Sequence, residues 1–238
     1  MGEVKEYIIF RLFAENFKQN FLREGEKIMI AIIDYDIGNL GSVVKAFKYL
    51  NIDVVLTRDY KDIKRSDGII LPGVGAFGEG MNNLRRMGFE EVIMEEVAAG
   101  KPFFGICLGM QLLFDKSAEA DDIPGLGLIP GEVVKFKKEN VGKIPHMGWN
   151  QVELVKDDPV FEGLSGKYYY FVHSYYVAPK SDNYVLAKTQ YGQTDFASVV
   201  RKDNVWGMQC HPEKSSKSGL QTLRNFCEVV YSGNNSSN

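Results

Sequence analysis

From Ile28 onward the chain alternates continuous apolar runs with segments whose apolar side chains recur every three or four residues. Ile28 to Ile33 is uninterrupted apolar sequence, as expected of a parallel strand covered on both faces. After it, Val43, Ala46, Phe47 and Leu50 fall at helical spacing, which predicts a helix over 39–49. Ile52–Leu56 and Gly68–Leu71 read as further strands. Phe89–Ala98 reads as a helix ended by Gly100-Lys101-Pro102, and Phe103–Ile106 as the strand that follows. The second half is richer in strands. Val133–Phe136, Gln151–Val155, Tyr168–Val177, Tyr184–Gln190, Phe196–Arg201 and Val205–Cys210 all carry that pattern, with a turn at Lys202-Asp203-Asn204. A last helix is predicted over Gly219–Tyr231. The fold class is α/β: a mainly parallel central sheet with helices on both faces and antiparallel strands at its edge. Sites in such sheets lie at the carboxyl ends of the strands.

One of those ends carries Gly105-Ile106-Cys107-Leu108-Gly109. Glycines two residues either side let the backbone turn sharply from strand to helix. The frame is expected to lift the Cys107 side chain into the open over a helix N-terminus, a nucleophile elbow with sulfur in place of a hydroxyl. A helix N-terminus and a nearby imidazole both favour thiolate, the attacking form. His211-Pro212-Glu213 offers a base and an acid to orient it. If this string is strand, positions i and i+2 share a face, so His211 and Glu213 would both look toward the cysteine. Each string alone is a weak signal. Their order is informative: in serine-elbow hydrolases the acid precedes the histidine on a separate element, and here it follows two residues later. Leu71-Pro72-Gly73-Val74-Gly75, at the end of another strand, reads either as an ordinary strand-to-helix loop or as backbone that closely approaches a reacting atom.

Composition narrows the field. The chain has 238 residues, of which 45% are hydrophobic and 25% charged, the profile of a globular protein with a full core. Its 28 basic and 31 acidic residues leave a net charge of −3, which argues against a nucleic-acid surface. No apolar stretch is long enough for a membrane span. Cys107, Cys210 and Cys227 form neither a disulfide framework nor a Cys-x-x-Cys pair. The three histidines make no metal constellation, so no metal and no cofactor is expected. A reactive free thiol suits a reducing compartment, and a cytoplasmic location is expected. Cys227 reads as a core residue of the last helix, and Cys210 as a strand packing residue.

Taken together, Gly105-x-Cys107-x-Gly109, Gln111 and His211-x-Glu213 resemble the class I glutamine amidotransferases. These hydrolyse the carboxamide of free glutamine and pass the ammonia to a synthase. Further strings narrow the resemblance: Asp34-Tyr35-x-x-Gly38-Asn39, Pro72 to Gly75, Pro145-His146-Met147-Gly148-Trp149-Asn150 and Tyr170-Phe171-Val172-His173-Ser174-Tyr175. They look like the glutaminase subunits of imidazole glycerol phosphate synthases, over about Met29 to Tyr231. The resemblance implies that Cys107, His211 and Glu213 are catalytic. It implies that Gly73, Val74 and Leu108 supply backbone donors to the oxyanion, and that Gly75, Gln111, Ser174 and Tyr175 hold the glutamine. It places Asn39, Trp149, Tyr170 and Lys214 at the interface with a (β/α)8 cyclase subunit, to which ammonia is channelled. The residues alone leave Trp149 open between an interface anchor and a core position. They leave His146 and His173 as hydrogen-bonded structural histidines. Cys210 departs from the family, where a Phe often precedes the catalytic histidine.

Two other functions fit parts of the pattern. The same module supplies ammonia to enzymes that amidinate surface sugars. A cysteine peptidase or small-molecule chaperone shares the sheet architecture, but Gln111 and the interface strings argue against it. The domain is expected over 29–231. Ser232 to Asn238 reads as a disordered tail. Residues 1–28 form an extension: Ile9, Leu12, Phe13, Phe17 and Phe21 fall near helical spacing, or translation starts at Met29. Glu3, Glu6 and Arg11 argue against a secretory signal, and residues 1 to about 27 are expected to be dispensable for catalysis.

Overall fold

A computed structural model describes residues 28–38 and 40–235. Residues 1–27 of the extension, the interface candidate Asn39, and residues 236–238 lie outside the described residues. Five parallel strands form the centre: β1 (Ile30–Ile33), β2 (Val54–Thr57), β3 (Gly68–Gly73), β4 (Phe103–Cys107) and β12 (Val205–Met208). Their order across the sheet is β2-β1-β3-β4-β12. The uninterrupted apolar runs follow from burial on both faces. Ala31, Ile33, Ile69, Leu71 and Phe103 enter one core, and Ile30, Ile32, Ile70, Phe104 and Ile106 the other. The first core is covered by α2 (Tyr60–Arg65), α3 (Phe77–Arg86) and α4 (Phe89–Ala98). The second is covered by α1 (Leu40–Tyr49) and α7 (Ser216–Asn235), through Val43 and Phe47 and through Leu223 and Phe226. Among the described residues no helix is long and apolar enough to cross a membrane.

Beyond β12 the sheet continues antiparallel through β11 (Thr194–Lys202), β10 (Val185–Tyr191), β7 (His146–Leu154) and β8 (Lys167–His173). β9 (Tyr175–Pro179) branches from β11 and carries β6 (Gly131–Lys135), which pairs in turn with β5 (Lys116–Ser117). The β11–β12 turn at Asp203-Asn204 is as expected, with Asp203 at positive φ.

Three expectations need correction. The single strand expected over Tyr168–Val177 is two strands, because the chain breaks at Ser174 so that β8 can pair with β7 and β9 with β6. The strand expected over Val205–Cys210 stops at Met208, and His211-Pro212-Glu213 is not strand. Pro212 starts a 3₁₀ turn, Pro212–Lys214, with His211 as its cap; proline has no N–H for a ladder and its fixed φ suits a first helical position. The last helix begins at Ser216 rather than Gly219. It runs to Asn235, into the segment expected to be tail.

Candidate active site

At the carboxyl end of β4 the backbone reverses at Cys107, which sits at φ 55°, ψ −108°, and a short helix, α5 (Leu108–Gln111), follows at once. A non-glycine residue in that region is strained, and strain of this kind collects at functional sites. Gly109 makes the turn sterically feasible, since a Cβ there would run into the carbonyl oxygen of Leu71. The side chain is not lifted into the open as expected. Cys107 is only 6% exposed and forms part of the wall of a cavity of about 340 Å³. The other lining residues are Val74, Gly75, Leu108, Gln111, Glu119, Pro145, Val172, His173, Ser174 and Tyr175. Such a volume accommodates a small molecule.

The 3₁₀ turn brings His211 and Glu213 together, although they do not share a strand face. His211 Nδ1 lies 2.8 Å from Glu213 Oε1, and both side chains are almost fully buried. The carboxylate can only accept, so Nδ1 carries a proton and Nε2 is left for the sulfur. Burial by itself pushes the imidazole pKa down. The charge and close approach of the Cys107 sulfur, and then Glu213, override it and raise it to about 10. Nε2 makes no aligned hydrogen bond to any described residue; catalytic contacts often tighten only when substrate binds. The turn is clamped by β8. Tyr170 O accepts from His211 N, Tyr170 N donates to Ser215 Oγ, and Ser215 Oγ donates to His211 O, at 2.9, 2.9 and 2.6 Å.

Gly73 ends β3 directly beside Cys107 in the parallel register, and Val74 and Gly75 run on along the cavity rim. Leu108 N is at the start of α5, where helix amides are unpaired. Gln111 lines the cavity, with its amide nitrogen engaged inward, to Tyr175 O at 3.0 Å and to Gln209 Oε1 at 3.1 Å. Ser174 and Tyr175 also line the cavity.

The other described candidates, Trp149, Tyr170 and Lys214, gather on a second surface. Across β7–β8, Trp149 pairs with Tyr170, ring centroids 6.4 Å apart, and Lys214 Nζ lies 5.9 Å from the Tyr170 ring. Trp149 is 54% exposed, which removes the core alternative, and Met147 and Tyr168 are exposed on the same face. The period of two puts Met147, Trp149, Tyr168 and Tyr170 outward and His146, Tyr169, Phe171 and His173 inward.

Sequence reading missed three residues. Gln209, fully buried, donates Nε2 to Cys107 Sγ at 3.7 Å. Its place two residues before His211 was a signal for it. Ser215, which clamps the His211 turn, and Glu119, the carboxylate of the cavity, had no local signal. Cys210 is fully buried in the second core, just past the end of its strand, and burial raises its thiol pKa.

His146 and His173 are the hydrogen-bonded histidines expected, and their tautomers can be assigned. Asn150 Nδ2 donates to Gln190 O and its Oδ1 accepts from Gln151 N, so the amide orientation is set. Nδ2 therefore donates to His146 Nε2 at 3.2 Å, His146 Nδ1 to His173 Nε2 at 3.0 Å, and His173 Nδ1 to Tyr175 O at 2.8 Å. Burial pushes these imidazoles down, to about 4 and about 3. Both are neutral in the folded chain below pH 6.5, where unfolded histidine takes up a proton, so stability is lost as pH falls from about 6.5 toward those values. Each contributes a slope of up to ~1.4 kcal/mol per pH unit. Thermal unfolding between pH 7 and 4.5 is expected to show a falling Tm whose slope is shallower in His173→Gln. Equal slopes would mean that His173 is not held neutral.

Comparison with known proteins places the architecture that carries this elbow and cavity. The family model for "Glutamine amidotransferase class-I" matches residues 31–230, and the chain belongs to that family. Among its relatives are proteins named "Imidazole glycerol phosphate synthase subunit HisH". That of Methanocaldococcus jannaschii is 50% identical over 203 residues, covering 85% of this chain and all of the relative. That of Methanothermobacter thermautotrophicus is 46% identical over 202 residues, covering 85% and 99%. Solved structures share the fold at lower identity. A glutamine amidotransferase superposes with a TM-score of 0.68 at 21% identity, covering 84% of this chain and 98% of that one. PurLQS of Thermotoga maritima also gives 0.68, at 18% identity and 86% and 100% coverage. The family removes the peptidase and chaperone alternatives.

Proposed function

We propose that the protein is the glutaminase subunit of an imidazole glycerol phosphate synthase in histidine biosynthesis, working in the cytoplasm with a (β/α)8 cyclase partner. The observation that carries the chemistry is the series Cys107, His211, Glu213: the sulfur on the wall of a cavity that can hold an amino acid, the imidazole close to it, and the carboxylate 2.8 Å behind the imidazole. Cys107 Sγ attacks the carboxamide carbon of glutamine, and the oxygen becomes an oxyanion. Backbone N–H groups of Val74 and Leu108 receive that charge, with Gly73 and Gly75 shaping the strand; each such donor is worth roughly 3–4 kcal/mol elsewhere. His211, held by Glu213, protonates the departing nitrogen, and ammonia leaves a glutamyl thioester. Water, activated by the same imidazole, then releases glutamate and restores the thiol. Glu119 offers the opposite charge to the α-ammonium of glutamine. Gln111, Ser174 and Tyr175 complete the wall around it.

The partner surface is the outer face of β7–β8. Trp149, with Tyr170 and Lys214, forms an exposed aromatic and cationic patch of the kind that anchors interfaces. The relatives at 46–50% identity are subunits by name, which supports an assembly of the same type. The test is to co-express the chain with the barrel protein of its own cell, isolate the complex, and measure glutamate release and synthesis from glutamine. Stable association with glutamine-dependent formation of imidazole glycerol phosphate supports the reading. Glutamine hydrolysis coupled only to another acceptor would move the protein to a different synthase. In the same assay Trp149→Ala is expected to raise the dissociation constant at least tenfold, about 1.4 kcal/mol. An unchanged constant would take Trp149 out of the interface.

A further inference from the structure

The phenolic oxygen of Tyr35 is fully buried and has no hydrogen-bond partner among the described residues. An unpaired buried hydroxyl costs stability, and phenylalanine would fill the same space without that cost. The oxygen lies against Gly73: a Cβ built on Gly73 would run into it, with Leu108 next nearest. Gly73 in turn sits beside Cys107 across β3–β4. Tyr35 and Leu108 belong to the core on one side of the sheet and Cys107 to the core on the other.

A peptide unit carries its C=O and N–H on opposite edges of one plane. Turning the Gly73–Val74 peptide so that the Gly73 carbonyl faces Tyr35 therefore turns Val74 N–H toward the Cys107 side. The local chain can make that turn. Gly75 is at φ +122°, Gly38 at φ +118° packs against Gly73 Cα and Val74 N, and Val74 is exposed at the rim.

We propose that Tyr35 is a positioning residue for the oxyanion strand: its hydroxyl donates to the Gly73 carbonyl and so holds Val74 N–H toward the oxygen of the substrate carboxamide. The idle hydroxyl then gains its partner only in the arrangement that serves catalysis. Burial, reinforced by the charge of Cys107, pushes the phenol pKa far up, so the group stays a donor. The assignment rests on the glutaminase reading above.

The test compares wild type with Tyr35→Phe, each in complex with the barrel partner. Three quantities are read: steady-state glutamine hydrolysis, the rate of Cys107 alkylation by iodoacetamide, and thermal unfolding. Alkylation uses the sulfur but develops no oxyanion, so it separates help to the thiol from help to the oxyanion strand. The expected result is a kcat lower by about tenfold, the worth of one hydrogen bond. KM and the alkylation rate stay unchanged, and Tm stays level or rises. Unchanged hydrolysis in the variant, a parallel loss of alkylation, or a lower Tm would each overturn the proposal while leaving the glutaminase reading in place. Absence of hydrolysis in wild type would overturn both.

Discussion

Replacing Cys107 with serine is expected to lower glutamine-dependent turnover by roughly three orders of magnitude or more, while synthesis from added ammonia by the assembled complex stays at the wild-type rate. Cys107 is the cysteine on the cavity wall, at the strained end of β4, whereas Cys210 and Cys227 are fully buried in the core. A serine hydroxyl in the same frame is far less acidic than a thiol, so little of the attacking anion is present. The acceptor chemistry, on the proposed reading, belongs to the other chain and needs only ammonia. Parallel assays with glutamine and with an ammonium salt decide the matter. Substantial glutaminase activity in Cys107→Ser would place the nucleophile elsewhere.

The second large effect concerns the imidazole and its carboxylate. His211→Ala is expected to lose nearly as much as the cysteine variant, and Glu213→Gln to lose one to two orders of magnitude less. The difference follows from geometry. On the proposed reading His211 carries the proton, while Glu213 Oε1 orients it from 2.8 Å, a task that a glutamine amide oxygen partly keeps. Groups that act as one unit give losses that do not multiply. The Cys107→Ser, His211→Ala double variant should therefore be no slower than the worse single one. A loss equal to the product of the two would show that they act independently.

Most of the parallel half of the fold was legible, because its apolar runs have a simple cause. A strand covered on both faces must be apolar throughout, so Ile30–Ile33 and Phe103–Cys107 announce themselves. Phe89–Ala98 was equally clear, with apolar residues at helical spacing and a glycine two positions past its end. The antiparallel half was legible only in outline. The break at Ser174 depends on which partner each half of the segment finds, β7 or β6, and pairing across distant sequence leaves no local mark. The turn at Pro212 was a local signal that the strand reading passed over. Proline after His211 ends the ladder, and the same turn, rather than a shared strand face, joins His211 to Glu213.

The chemistry-bearing strings were legible in the chain before any fold was known. Gly105-x-Cys107-x-Gly109 is a steric statement about a turn that leaves no room for a Cβ at Gly109, and His211-x-Glu213 is a short-range pairing; both are local, so both survive the step from chain to fold. The packing of distant elements set what surrounds them. It sank Cys107 into a cavity wall instead of lifting it into the open, because Glu119, Pro145 and the Val172–Tyr175 segment close the cavity around the elbow. It turned Trp149 outward by the parity of a β7–β8 register that no local pattern specifies. It also brought Gln209, Ser215, the histidine relay and Tyr35 to the site, across separations of 102 residues for Gln209 and Cys107 and 64 for Gln111 and Tyr175. Contacts of that span are set by how the elements pack, and of these residues Gln209 alone had a local signal, its place two residues before His211.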